Sequence, residues 1–197
     1  NVLWILFTIL GLGIFGITPA TAAMFSILKK WIKGKENIAV FKNFWSYYKE
    51  NFWRANLLGL ILMIVGFILY YDLQFFRAQE GILNFFLYYS VLVASFLYLI
   101  ILLYVFPVFV NYSDLKIRHI LKNSLFISII TPVKTLLMIL GIVALYIGFT
   151  FLPSLLPFLS VSGLGYVLMW VALQAFDQVE FKIKEHQEEN EEETEEN

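Results

Sequence analysis

Residues 82–110 run without a single charged side chain. An α-helix needs about 20 mostly apolar residues to cross a bilayer, and this stretch exceeds that length. Four further apolar runs accompany it, at residues 2–28, 55–71, 126–151 and 155–176. The runs are continuous rather than alternating, which fits helices and not the strands of a membrane barrel. Composition points the same way. The chain is 60% hydrophobic and only 15% charged, with a mean hydropathy of +0.76, whereas soluble domains carry about 25% charged residues. We therefore expect an all-α polytopic membrane protein with about five transmembrane helices, its aromatic residues serving lipid-facing and interfacial positions.

The basic residues divide sharply between the two sides of these runs. Lys29, Lys30, Lys33, Lys35, Lys42, Lys49 and Arg54 follow the first run. Lys116, Arg118, Lys122 and Lys134 flank the join of the third and fourth, and Lys182 and Lys184 follow the fifth. Only Arg77 lies on the other side. The excess of Lys and Arg marks the cytoplasmic face. Hence the sequence predicts a multi-pass protein of the plasma membrane with residues 179–197 inside. That segment holds nine of the fifteen acidic residues, eight of them from residue 185 onward, and no aromatic after Phe181. Its composition predicts a disordered, solvated tail, separate from a helical domain over 1–178.

Asn1 already lies in an apolar run, which predicts that the sequence begins inside a longer chain. Ala20-Thr21-Ala22 has the small-residue look of a leader cleavage site. The lysines that follow it favour retention on the cytoplasmic side instead.

Two connecting segments have helical patterning. In residues 41–56, Phe41, Phe44, Trp45, Tyr48 and Phe52 fall at steps of three and four, with Lys42, Lys49, Glu50 and Arg54 in other sectors. Residues 113–126 repeat the pattern more weakly. Both predict cytoplasmic amphipathic helices lying at the headgroup level. Each follows a run with a proline, carries a Lys/Asn element and leads into a long apolar run. That shared order is compatible with a degenerate internal repeat and equally with chance likeness between Leu- and Ile-rich segments.

Residues 16–25, GITPATAAMF, place a proline and several small side chains within the first run. Pro19 lacks an amide hydrogen, so the helix is expected to kink or break around residues 15–18, with the Thr18 and Thr21 hydroxyls serving freed carbonyls. Gly11, Gly13, Gly16, Ala20, Ala22 and Ala23 leave a thin surface for close packing. A kinked packing helix, a break lining a polar cavity and a docking surface within the membrane all remain open from this stretch.

Catalytic groupings are absent from the pattern. Cysteine does not occur, which excludes disulfides and thiolate chemistry. His119 and His186 have no ligand partners at metal spacing. No phosphate loop with its lysine is present, so ATP binding by this chain is not expected. We expect no enzyme, no cofactor and no metal. Nucleic acid is a poor match for so thin a positive charge beside a membrane. Lys134 is expected to snorkel to the interface or to pair with a partner. Trp170, Gln174, Thr150 and Ser128 are the side chains that could contact an uncharged solute, or simply pack.

The stretch GITPATAAMFSILKKWIKGKE, followed by FKNFWSYYKENFWRANLLGLI, resembles the YesL-like family of bacterial membrane proteins. The matching residues are Thr18, Pro19, Ala20, Thr21, Ala22 and Ala23, then Phe41, Phe44, Trp45, Tyr48, Lys49, Asn51 and Phe52. Lys122 and Asn123 resemble the middle of the family pattern. The likeness extends to about residue 176. It implies a protein of unassigned activity that accompanies importers of the ATP-binding-cassette type for oligosaccharides. On that implication the chain is a non-catalytic accessory subunit that stabilises or modulates the permease, with membrane lipids and permease subunits as partners. The candidate interface residues are Thr18, Pro19, Thr21, Phe44, Trp45, Lys49, Asn51, Phe52, Trp53, Lys122 and Asn123. A stand-alone transporter or channel for a small uncharged solute is the rival reading.

Overall fold

The computed structural model describes residues 1–35 and 37–195, with side chains through residue 185 and at 187. The helices are α1 (Val2–Leu10), α2 (Ile14–Ile32), α3 (Val40–Arg77), α4 (Ile82–Asn111), α5 (Ile117–Ile130), α6 (Pro132–Phe151) and α7 (Leu156–Glu195), with a short 3₁₀ turn at Pro153–Leu155 before α7. No strand occurs among the described residues.

Among the described residues four helices are long and apolar enough to cross a membrane: α3, α4, α6 and the stretch Pro153–Glu185, which includes most of α7. Their outward side chains are apolar too. Phe67, Phe96 and Phe158 are all exposed, a surface that only lipid solvates well. The chain is thus a multi-pass membrane protein, all helical where it is described.

The first apolar run does not form the expected fifth span. It divides into α1 and α2, and the division lies at Gly11–Leu12–Gly13 rather than at Pro19. Leu12 and Gly13 both adopt left-handed backbone, at φ 59° and 74°. α1 then folds back along α2, bringing the Trp4 indole Nε1 within 3.0 Å of Thr21 Oγ1, to which it donates. Glycine permits the crossing. A Cβ on Gly16 would stand 2.3 Å from the Thr8 carbonyl oxygen, and one on Gly11 would stand 2.4 Å from Gly16 Cα. Pro19 is fully buried inside α2 without breaking it. The one hydrogen bond it forfeits would have gone to the Phe15 carbonyl in the first turn.

α2 is the centre of the packing. Ala20, Ala22 and Ala23 are completely buried, and Met24, Phe25, Ile27 and Leu28 nearly so. Small side chains let α3, α4 and α7 approach this helix closely. The stretch that sequence marked for its proline is therefore a packing axis.

The segment 41–56 is not a separate helix in the headgroup plane. It forms the first half of α3, which continues unbroken for 38 residues, about 57 Å. Phe44, Tyr48, Asn51 and Ala55 are buried against the rest of the protein. The second segment behaves differently. α5 runs to Ile130, and the fourth span starts at Pro132 rather than at residue 126. Pro132 has no amide to give the Ser128 carbonyl, and the Thr135 hydroxyl donates to it instead, at 3.2 Å. One amphipathic segment fused to its span and one cut from it do not make matching halves.

α7 continues as helix to Glu195, where composition led us to expect a disordered tail. Glu and Lys are good helix formers, and Lys184 pairs with Glu180 one turn away at 3.1 Å. Both are largely exposed, so the pair adds little stability. No break marks residue 178.

Candidate functional site

An apolar groove of about 750 Å³ lies between the α1–α2 turn and the middle of α3. Leu10, Leu12 and Phe15 form one wall, and Trp45, Phe52, Trp53, Leu57 and Leu60 form the other. Helical periodicity builds the second wall, because positions 45, 48, 52, 56 and 60 of α3 recur at steps of three and four along one face, with Trp53 and Leu57 beside them. The tight glycine turn builds the first by lifting Leu12 outward, where it is 86% exposed.

Phe7 packs behind the groove, against its lining residues Trp45 and Tyr48. It is buried, and its ring lies 4.9 Å from Phe44, 5.1 Å from Tyr48 and 5.4 Å from Trp45, all tilted. Such aromatic contacts are favourable beyond simple burial. The Tyr48 hydroxyl donates to the Phe7 carbonyl at 3.1 Å. Lys49 holds its ammonium 5.2 Å above the Trp45 ring, a cation–π geometry. Phe7 and Asn56 were not recognised from sequence. Nothing local marks Phe7, whereas Asn56 could have been noticed as an amide at the edge of an apolar run.

The candidate residues separate into three groups. Trp45, Phe52 and Trp53 line the groove, and Lys49 sits on its rim. Thr18, Pro19, Thr21, Phe44 and Asn51 are inward. Thr18 donates to Asn56 Oδ1 at 3.1 Å, Thr21 accepts from Trp4, Phe44 packs on Phe7, and Asn51 donates to the Tyr47 carbonyl at 3.3 Å. Pro19, Phe44 and Asn51 are buried, whereas Thr18 and Thr21 are half-buried. Lys122 and Asn123 lie on α5, outside the groove. The segments 41–56 and 113–126 are nonetheless joined. The Arg54 guanidinium donates to the Ser113 and Leu115 carbonyls and stands 4.9 Å over the Phe109 ring.

The residues noted for solute contact do not converge. Gln174 accepts from Lys134 Nζ at 2.8 Å, so Lys134 pairs across to α7 instead of snorkelling. Ser128 donates to the Leu125 carbonyl and Thr150 to that of Tyr146. His119 accepts from Arg118 at 3.1 Å. Among the described residues no cluster could hold a metal ion.

Comparison with known proteins agrees with the site's most distinctive sequence. Residues 1–73 match the family model described as "Protein of unknown function, DUF624". Three proteins of Bacillus subtilis (strain 168) are similar over most of the chain, and each is named as uncharacterized. YteU is 42% identical over 91% of this chain and 80% of its own length. YesL is 39% identical over 89% and 82%, and YesV 37% over 91% and 86%. The chain belongs to the YesL-like DUF624 family. No solved structure matches it. The DUF624 match spans α1, α2 and nearly all of α3, which are the elements that build the groove.

Proposed function

We propose that this DUF624 protein is a non-catalytic accessory subunit of an oligosaccharide importer and that it grips the permease through the α1–α2/α3 groove. The observation that carries the reading is the exposure of Trp53, at 82%, beside Trp45 over an apolar groove. Exposed aromatic anchors around a pocket are the usual energetic centre of protein interfaces. The sugar-importer link rests on the family resemblance alone. In this reading the basic ends of α2, α3 and α5 face the cytoplasm of a bacterial cell, and so does the end of α7. No proton-coupled mechanism is invoked, because ionisable side chains within the spans are sparse.

The test is affinity capture from gently solubilised native membranes through a tag following α7, with mass identification of retained proteins. Recovery of permease subunits in fixed proportion, lost on Trp53→Ala, supports the reading. Recovery of this chain alone across several mild detergents refutes a stable subunit and favours a stand-alone transporter, which flux into vesicles holding only this chain would then reveal.

A further inference from the structure

A second cavity, of about 250 Å³, lies at the far end of α2, away from the groove. Lys29, Lys30, Lys33 and Lys35 line it, with Tyr47 of α3 and Val110 at the end of α4 completing the wall. Four ammonium groups around so small a space repel one another. None has a carboxylate partner among the described residues, where the one ion pair is Glu180–Lys184. Two are drawn to neutral oxygens instead. Lys30 donates to Asn43 Oδ1 at 2.5 Å, and Lys29 makes a long 3.4 Å contact to the Val110 carbonyl.

Lysines in the last turn of a helix also complement its dipole, which accounts for Lys29 and Lys30. It does not account for Lys33 and Lys35, at and beyond the helix end. Nor does it explain Tyr47, whose hydroxyl is buried and makes no hydrogen bond among the described residues. An orphaned buried hydroxyl costs free energy unless something completes it. Burial, reinforced by the charge of Lys33, also holds the Lys29 ammonium below its ordinary range, as expected where positive charge is crowded.

We infer that this cavity binds a phosphate group, held by the Lys29, Lys30, Lys33 and Lys35 ammoniums and oriented by the Tyr47 hydroxyl. The chemistry is shared by an anionic phospholipid headgroup and by free phosphate. The inference does not depend on the importer reading.

The experiment uses the full chain in a neutral detergent and phosphate-free buffer, titrated separately with phosphatidylglycerol and with inorganic phosphate. Binding is followed by native mass spectrometry for the lipid and by thermal shift for the ion. Saturable binding of phosphatidylglycerol over phosphatidylcholine assigns the site to a lipid, and saturable binding of inorganic phosphate assigns it to a soluble anion. In either case, Lys30→Ala and Lys33→Ala should each weaken affinity about fivefold. Tyr47→Phe should do so to a similar degree while leaving helicity and elution unchanged. Should the lysine variants fail to fold, Tyr47→Phe decides alone. Absence of saturable binding by either probe, or binding indifferent to Tyr47→Phe, overturns the inference.

Discussion

Thr18 and Gly59 share one van der Waals space at the α2–α3 crossing. A Cβ on Gly59 would lie 2.2 Å from Thr18 Cγ2 and 3.0 Å from its Cβ. The Thr18 hydroxyl meanwhile donates to Asn56, one turn earlier on α3. The contact therefore sets both the distance and the register of the two helices that carry the groove's opposite walls.

Gly59→Ala should destabilise the protein by about 1–3 kcal/mol through overpacking. Thr18→Ala alone should cost about 0.6 kcal/mol, the usual worth of an interhelical hydrogen bond in a membrane. The pair of changes should cost less than the sum, because Thr18→Ala removes the methyl that Gly59→Ala strikes. Thermal unfolding in detergent measures the cycle. Strict additivity would mean that the two residues do not meet.

Gly16→Ala should be worse than Gly59→Ala. Its Cβ would strike the backbone of Thr8, which cannot rotate away as a side chain can. Gly148→Ala on α6 supplies the comparison. Nothing lies within 4 Å of that Cβ, so the change should be neutral or slightly stabilising through helix propensity. Equal losses at the two positions would contradict the folding back of α1 on α2.

Lys29 gives a pH signature. Its folded-state pKa lies below the ordinary 10.5, first because of burial and then because of Lys33. Between the depressed value and 10.5 the folded state binds fewer protons than the unfolded state, so this group's contribution to stability rises with pH. Lys29→Gln removes that contribution. The stability of the natural protein minus that of the variant should therefore grow as pH rises through the alkaline window. Unfolding midpoints in phosphate-free buffer measure this, and a constant difference would show that Lys29 is not held in a cramped, positive site.

The long apolar runs made the helical membrane character legible, because hydropathy over such lengths has one physical reading. Four runs became long helices. The first did not, and local signals could not have said so. Pro19 is the strongest helix breaker in that run, yet the chain turns at Gly11–Leu12–Gly13 because Gly11, Gly16 and Thr8 meet only after α1 has folded back. Pro132 is the opposite case. Its missing amide was visible in the sequence, and the break at Thr131 could have been read from it. The aromatic spacing of Trp45, Tyr48 and Phe52 puts them on one face of α3, and that face lines the groove. Leu12 of the other wall, and Phe7 packed behind the groove, come from a segment more than thirty residues earlier in the chain, which no helical period connects to α3. Arg54 was counted as a charge. Its work as a clamp on the Ser113 and Leu115 carbonyls depends on where α4 ends.

The groove as a docking site is tested most directly by placing the photo-crosslinking residue benzoylphenylalanine at Trp53 in intact native membranes. Trp53 is exposed and outside the aromatic packing around Phe7, so the fold should tolerate the change. The account predicts a discrete adduct with one membrane protein, identified by mass as a permease subunit, and its loss when Leu57→Ala and Leu60→Ala strip the adjoining wall. Adducts to lipid alone, with the protein present and correctly inserted, would contradict it.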